Sequence, residues 1–126
     1  MMRDQEAMIR RHVESLMAGD VEGAMEGLSD DFVQDWPQSG ERLHGRVACA
    51  MVYRNYPGGS PTGTVRRVVG RGDVQVAESL VEYGGTPTFV VSVFEFRDGL
   101  IVHETDWFTE RFPAPAWRSD WVELVG

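Results

Sequence analysis

The chain has 126 residues, of which 12 are basic and 20 are acidic, and its net charge is −8. Every basic residue is an arginine, which excludes Schiff-base chemistry on a lysine and the phosphate-binding lysine of a P-loop. The net negative charge repels phosphate groups, so neither nucleic acid nor an anionic membrane surface is expected as a partner.

Length and composition predict a single domain over residues 1–126. A hydrophobic share of 42% with 25% charged residues is typical of a globular protein with one core. Cys49 is the only cysteine in the sequence, so no disulfide forms within the chain. No apolar run approaches the ~20 residues of a membrane span, and residues 1–6 carry charge where a secretory signal would be apolar. We expect a cytoplasmic protein.

Three helices are predicted in the first half. Asp4 can cap a first helix that ends at Gly19, because apolar residues and His12 recur there at spacings of three and four. Asp20 can cap a second, short helix that closes at residues 29–31. A short strand over residues 32–36 precedes a third helix over residues 45–56, which Pro57 and two glycines stop.

The second half has the two-residue period of strands. Four runs, residues 64–70, 74–83, 86–97 and 100–111, are separated by glycine-containing turns, of which Asp98-Gly99 is the strongest hairpin signal. Helices followed by an antiparallel meander predict the α+β class. The run over residues 89–94 is apolar on both alternating faces, so it needs a second cover. A second subunit packed on the sheet, or the C-terminal segment folded back over Trp107, would provide one.

Acidic residues on two of these strands are the candidate catalytic groups. Glu104 and Asp106 share one strand face with Phe108, and their positions are roughly 7 Å apart by the rise of a strand. In a cavity, burial and mutual repulsion would raise the pKa of at least one of them and create a proton donor or acceptor near neutrality. On a solvated face the pair would have no such role. Glu78 lies between apolar neighbours on its own strand and is a third candidate, although pairing with Arg66 or Arg71 would explain it equally.

The remaining candidates are aromatic and apolar. A curved sheet closed by helices leaves room at its wide end, where an apolar lining suits a small hydrophobic molecule. We expect the lining to be Trp36, Tyr53, Tyr56, Val90 and Phe108. The three histidines show no metal-ligand spacing, so neither a metal nor another cofactor is predicted. His12 on its apolar helix face is expected to be a partly buried structural residue, and Cys49 a small packing residue.

The order helix, helix, strand, helix and four antiparallel strands resembles the nuclear transport factor two-like fold, in its SnoaL-like branch. The local resemblance is carried by Gly19-Asp20, by His44-Gly45-Arg46 and by residues 94–101, which read FEFRDGLI. It implies a cone-shaped, curved antiparallel sheet packed on three N-terminal helices, with a short C-terminal helical segment. From the strand that is apolar on both faces, we expect a homodimer formed through the sheet face.

The same resemblance places Asp106 where SnoaL-type polyketide cyclases and limonene epoxide hydrolase-like enzymes have a last-strand aspartate that acts as acid or base. The hydrolase pattern has arginine directly before that aspartate, where this chain has Thr105, and ketosteroid isomerase-like enzymes have a tyrosine on the first helix that is missing here. The implied function is cofactor-free acid/base catalysis of isomerase, cyclase or hydrolase type. The alternative is a non-catalytic module of the same fold that binds a small ligand or a protein.

Overall fold

The computed structural model describes residues 2–125 and contains two helices, two strands, a third helix and four further strands, in that order. The helices are α1 (Met2–Met17), α2 (Val21–Met25) and α3 (Gly45–Arg54). The strands are β1 (Leu28–Trp36), β2 (Glu41–His44), β3 (Thr62–Arg71), β4 (Val74–Tyr83), β5 (Thr86–Arg97) and β6 (Leu100–Glu110). A 3₁₀ turn, Ala116–Trp121, follows the last strand. None of the described helices has the length and apolarity needed to cross a bilayer.

The strands form one curved open sheet in the order β2-β1-β6-β5-β4-β3. The four strands of the second half pair as the predicted antiparallel meander, which confirms the α+β class. Asp98 and Gly99 both have positive φ angles, as the predicted turn between β5 and β6 requires. The sheet also contains one parallel pair, because β1 runs parallel to β6. This pairing brings the first strand beside the last one at the centre of the molecule.

Local signals explain the first two helix ends. Gly19 adopts a φ of 81°, which ends α1, and Asp20 then caps α2 by accepting a hydrogen bond from the Gly23 amide at 2.9 Å. The apolar face of α1 packs against the core, and Ile9 and His12 are buried at the centre of this face. Helix α1 therefore presents two buried polar side chains, Gln5 and His12, to the concave face of the sheet.

Two predicted boundaries are wrong, and one strand is missing from the prediction. Residues 28–31 belong to β1 rather than to the end of α2, because Leu28 is buried and pairs with Ile101 of β6. Helix α3 ends at Arg54 instead of residue 56. The short strand β2, which ends at His44 and pairs with β1, was not predicted between the first strand and the third helix. The sheet therefore has one more strand than the sequence indicated.

Helices cover one face of the sheet, whereas the other face remains partly exposed. The concave face holds the core with α1 and α3, including Ile9, Leu28, Phe32, Phe94 and Ile101. On the convex face, Phe89 and Trp107 remain 38% and 37% exposed. Phe112, Trp117 and Trp121 of the C-terminal segment are each more than 70% exposed, so they do not form the predicted cover over Trp107.

Candidate active site

Two carboxyl groups lie inside the core on the concave face of β6. Glu104 and Asp106 are only 4% and 3% exposed, and they sit between β1 and β5 at the centre of the sheet. The alternation of side chains along β6 places both on this face, as the sequence predicted. Burial of two acids is costly unless hydrogen bonds or protonation compensate it, so their partners determine the chemistry of the site.

His12 of α1 is the partner of Glu104. Its Nδ1 lies 2.8 Å from the carbonyl oxygen of Ala24, and its Nε2 lies 2.9 Å from Oε1 of Glu104. A carbonyl oxygen only accepts, so Nδ1 carries a proton and donates it. Burial lowers the pKa of His12 and keeps the ring neutral, which leaves Nε2 as an acceptor. The proton between His12 and Glu104 therefore belongs to the glutamic acid.

Gln34 of β1 connects the two acids. It pairs in parallel register with Glu104, which brings its amide beside both carboxyl groups. Its Nε2 donates to Oδ2 of Asp106 at 2.7 Å and, over a longer 3.4 Å, to Oε2 of Glu104. The thiol of Cys49 on α3 donates to Oε1 of Gln34 at 3.4 Å, which fixes the orientation of the amide.

The two oxygens of Asp106 differ in their surroundings. Oδ2 accepts hydrogen bonds from Gln34 and, at 3.0 Å, from the indole Nε1 of Trp36. Oδ1 is buried and has no hydrogen-bond partner among the side chains that the structure describes. Because two donors occupy Oδ2, a proton on Asp106 would sit on Oδ1, inside the core, where the carboxyl group also interacts with Glu104 and with Ser92 of β5.

Burial also sets the protonation of the pair. It raises the pKa of Glu104 to about 7. Burial, and then the charge of neighbouring Glu104, raise the pKa of Asp106 well above its usual range. Two adjacent carboxyl groups in such surroundings do not both ionise, so the pair retains at least one proton near neutral pH. The pair therefore contains a carboxyl group that titrates near neutral pH.

A cavity of about 1020 Å³ opens between α3 and the end of the sheet next to these acids. It is lined by four of the five predicted binding residues, Trp36, Tyr53, Tyr56 and Phe108. Trp36 lies two residues after Gln34 on β1, and Phe108 lies two residues after Asp106 on β6. The acids therefore lie deeper in the core than the cavity wall, and the indole of Trp36 connects the wall to Asp106 through its hydrogen bond.

The structure separates two predicted site residues from the cavity. Val90 is buried on the concave face and pairs in register with Phe108, but it does not line the cavity. The prediction that Glu78 faces the cavity is wrong, because its side chain lies on the convex face and contacts Arg67 at 2.6 Å. This contact is a salt bridge like the one considered from the sequence, with a different arginine as partner.

Sequence reasoning missed His12 and Gln34 as members of the site. Each has the same signal, namely a polar residue within an otherwise apolar stripe: His12 between Met8 and Leu16, and Gln34 between Phe32 and Trp36. That signal predicts a buried polar group with a partner, although it does not name the partner. Within residues 2–125, no group of three or more histidine, cysteine, aspartate or glutamate side chains is arranged to hold a metal ion.

The model of the SnoaL-like domain matches residues 9–104. No curated protein matches the chain.

Solved structures show the same fold over almost the whole chain. An NTF-2 like protein of unknown function from Burkholderia xenovorans LB400 is 37% identical, with a TM-score of 0.89 over 99% of this chain and 98% of that one. A candidate ketosteroid isomerase from Kribbella flavida DSM 17836 is 27% identical, with a TM-score of 0.88 over 98% and 91%. An LEH-like epoxide hydrolase from M. tuberculosis, 22% identical, has a TM-score of 0.71 over 84% and 83% and shares the fold. The chain therefore belongs to the SnoaL-like family and has the nuclear transport factor two-like fold.

Proposed function

We propose that the protein binds a small hydrophobic molecule in the cavity and exchanges a proton with it through Asp106, without a cofactor. One observation carries this proposal: Oδ1 of Asp106 is a buried carboxyl oxygen without a partner in the described part of the chain. Buried polar atoms in native proteins rarely lack a hydrogen-bond partner, and a catalytic role is one explanation for an exception. We propose proton exchange next to a carbonyl: the ionised form of the pair, whose population increases above about pH 7, accepts the substrate proton, and the resulting carboxylic acid returns a proton to the same carbon.

The neighbouring residues have supporting roles in this proposal. Gln34 and Trp36 hold Oδ2, so the carboxyl group is positioned with Oδ1 free. Glu104 is a second titrating group beside Asp106, and its hydrogen bond with His12 positions the Glu104 carboxyl group. Glu78 has no role in the proposed reaction, since it lies on the other face of the sheet.

The relatives support a proton-transfer reaction in general terms. The Kribbella flavida protein is named for ketosteroid isomerisation, a reaction in which a proton is removed next to a carbonyl. This chain has no tyrosine on α1 to hold an oxyanion, so its substrate need not be a steroid. We therefore propose the reaction type and leave the ketone or ester unspecified.

The proposal is tested by isotope exchange, which requires no knowledge of the product. The protein is incubated in D₂O with a panel of hydrophobic ketones and esters, and deuterium uptake next to the carbonyl is followed by mass spectrometry. We expect uptake above the buffer rate for at least one compound, and loss of that uptake in Asp106→Asn. Uptake that is unchanged in Asp106→Asn would exclude this aspartate as the base.

A second candidate function is favoured by the position of Asp106. The acid does not line the cavity itself, because the cavity wall ends at Trp36. A non-catalytic module that binds a small ligand would need no access to the acid, and the buried network would only specify the fold. Ligand binding without deuterium uptake for any compound that binds would favour this function.

We further propose that two copies pair through the convex face of the sheet. Phe89 and Trp107 are large apolar side chains that remain exposed there, and such patches on a single chain usually indicate an interface. Trp107→Glu is expected to convert a dimer into a monomer by placing a charge in the apolar contact. Sedimentation velocity measures this change, with Trp117→Glu in the C-terminal segment as the matched control. A parent chain that sediments as a monomer at all concentrations would contradict the proposed pairing.

A further inference from the structure

Five aromatic rings follow one another around the cavity. The ring of Tyr53 stacks near that of Tyr56 with centroids 6.3 Å apart, and Tyr56 stacks near Tyr83 at 5.9 Å. Phe108 then meets Tyr83 edge to face at 6.2 Å and Trp36 at 6.4 Å. All five residues line the cavity. The wall is therefore a continuous aromatic surface that spans α3, β1, β4 and β6.

The charged groups around this wall all have the same sign. Glu41 and Glu110 line the cavity, and no arginine or histidine of the described chain does. The buried pair carries at most one negative charge near neutral pH, because it retains at least one proton. Glu41 and Glu110 would repel an anionic ligand.

The lining also argues against a purely hydrocarbon ligand. Of the fourteen lining residues only Val52 and Pro57 are aliphatic, whereas five are aromatic. Aromatic faces carry negative electrostatic potential and attract cations, most strongly those that are weakly hydrated, such as alkylated ammonium groups. Carboxylates nearby add Coulomb attraction without the need for direct contact.

We propose that the cavity binds an organic cation, a quaternary or protonated tertiary amine that carries hydrophobic substituents. This inference rests on the proposed function, because it assigns a chemical class to the molecule in the same cavity. The ammonium group lies against the aromatic rings, and Glu41 and Glu110 provide the compensating charge.

The test compares two molecules of the same shape that differ in charge. Phenyltrimethylammonium and its neutral carbon analogue tert-butylbenzene are titrated into the protein by calorimetry or followed by NMR shifts. We expect the cation to bind about tenfold more tightly, which corresponds to a cation–π contact of ordinary strength. Benzenesulfonate, an anion of similar size, is expected not to bind.

Two pairs of variants separate the ring contribution from the charge contribution. Tyr56→Leu is expected to weaken binding of the cation about fivefold, whereas Tyr56→Phe, which keeps the ring, is expected to retain it. Glu110→Gln is expected to weaken it about threefold, whereas Glu123→Gln, which removes an equal charge outside the cavity, has no effect. Circular dichroism of each variant checks that the fold is intact.

The outcomes distinguish this inference from the function on which it rests. Equal affinity for the cation and tert-butylbenzene would overturn the cation inference and leave a hydrophobic cavity in place. Failure of both molecules to bind would overturn the cavity as a ligand site altogether. Preference for the cation that is unchanged in Tyr56→Leu and Glu110→Gln would place the binding elsewhere and also overturn the inference.

Discussion

At pH 8 the free energy of unfolding of Glu104→Gln is expected to exceed that of the parent chain by about 3 kcal/mol at most. The carboxyl group of Glu104 is buried, and burial raises its pKa to about 7 from an ordinary value of 4.5. A raised pKa means that the folded state favours the protonated acid. The stability from this group is therefore complete below pH 4.5, and it is lost as the pH rises through about 7.

The amide avoids this loss because it resembles the protonated acid in shape and hydrogen bonding. Its NH₂ group can donate to Nε2 of His12, as the acid does, and its oxygen can accept from Gln34. At pH 5 the variant and the parent chain are therefore expected to be about equally stable. His12 has a lowered pKa, so its contribution has the opposite sign and is lost as the pH falls below about 6.5.

Urea unfolding at pH 5, 6, 7 and 8 measures the difference between the two chains. Glu110→Gln is the matched control, because it removes an exposed acid from the same strand. The control is expected to follow the parent chain at every pH. A parent chain whose stability does not fall relative to Glu104→Gln between pH 5 and pH 8 would contradict the assignment of a buried, protonated Glu104.

Asp106→Asn is expected to lower the rate of proton transfer by about 10²- to 10⁴-fold for any substrate found in the exchange experiment. An asparagine can keep its oxygen toward Gln34 and Trp36 and place its NH₂ group where Oδ1 lies, so the fold is expected to remain. Removal of the titrating oxygen therefore affects the rate far more than binding. The expected result is a large fall in kcat with a small change in KM.

Glu78→Gln provides the control for this second prediction. The residue is an acid on a neighbouring part of the same sheet, but it faces away from the cavity and contacts Arg67. Its substitution is expected to leave kcat and KM unchanged. If Glu78→Gln lowered kcat as strongly as Asp106→Asn, the assignment of the catalytic acid to the concave face would be wrong.

The strand pattern of β6 predicted the two central acids correctly, because alternation is a local property. Residues two positions apart on a strand share a face whatever surrounds them, so Glu104 and Asp106 had to lie together. The hairpin at Asp98-Gly99 is also a local signal, and the structure confirms it. The alternation alone does not determine which face of the strand packs against the core.

That missing information explains the error at Glu78. Its neighbours Val76 and Leu80 are apolar, which suggested the core, yet they lie on the convex face. The concave face of β4 instead carries Gln75, Ala77 and Ser79. Gln75 is buried there because it donates to Oε1 of Gln5 at 2.9 Å. A buried polar residue with a partner reverses the pattern that hydrophobicity alone would give.

The partners of the acids depend on contacts between distant parts of the chain. His12 and Glu104 are 92 residues apart, and Gln34 and Asp106 are 72 residues apart. The second contact requires β1 to lie parallel to β6, which no local signal encodes. Sequence reasoning therefore found the acids and the aromatic wall, whereas the hydrogen bonds that set their chemistry required the three-dimensional arrangement.

The most direct measurement is a carboxyl ¹³C NMR titration of the parent chain, with Glu104→Gln and Asp106→Asn used to assign the signals. We predict that the Glu104–Asp106 pair titrates with one apparent pKa of about 7 and a second, higher apparent pKa. Both carboxyl groups titrating below about pH 5, as exposed acids do, would contradict a buried proton-exchanging pair.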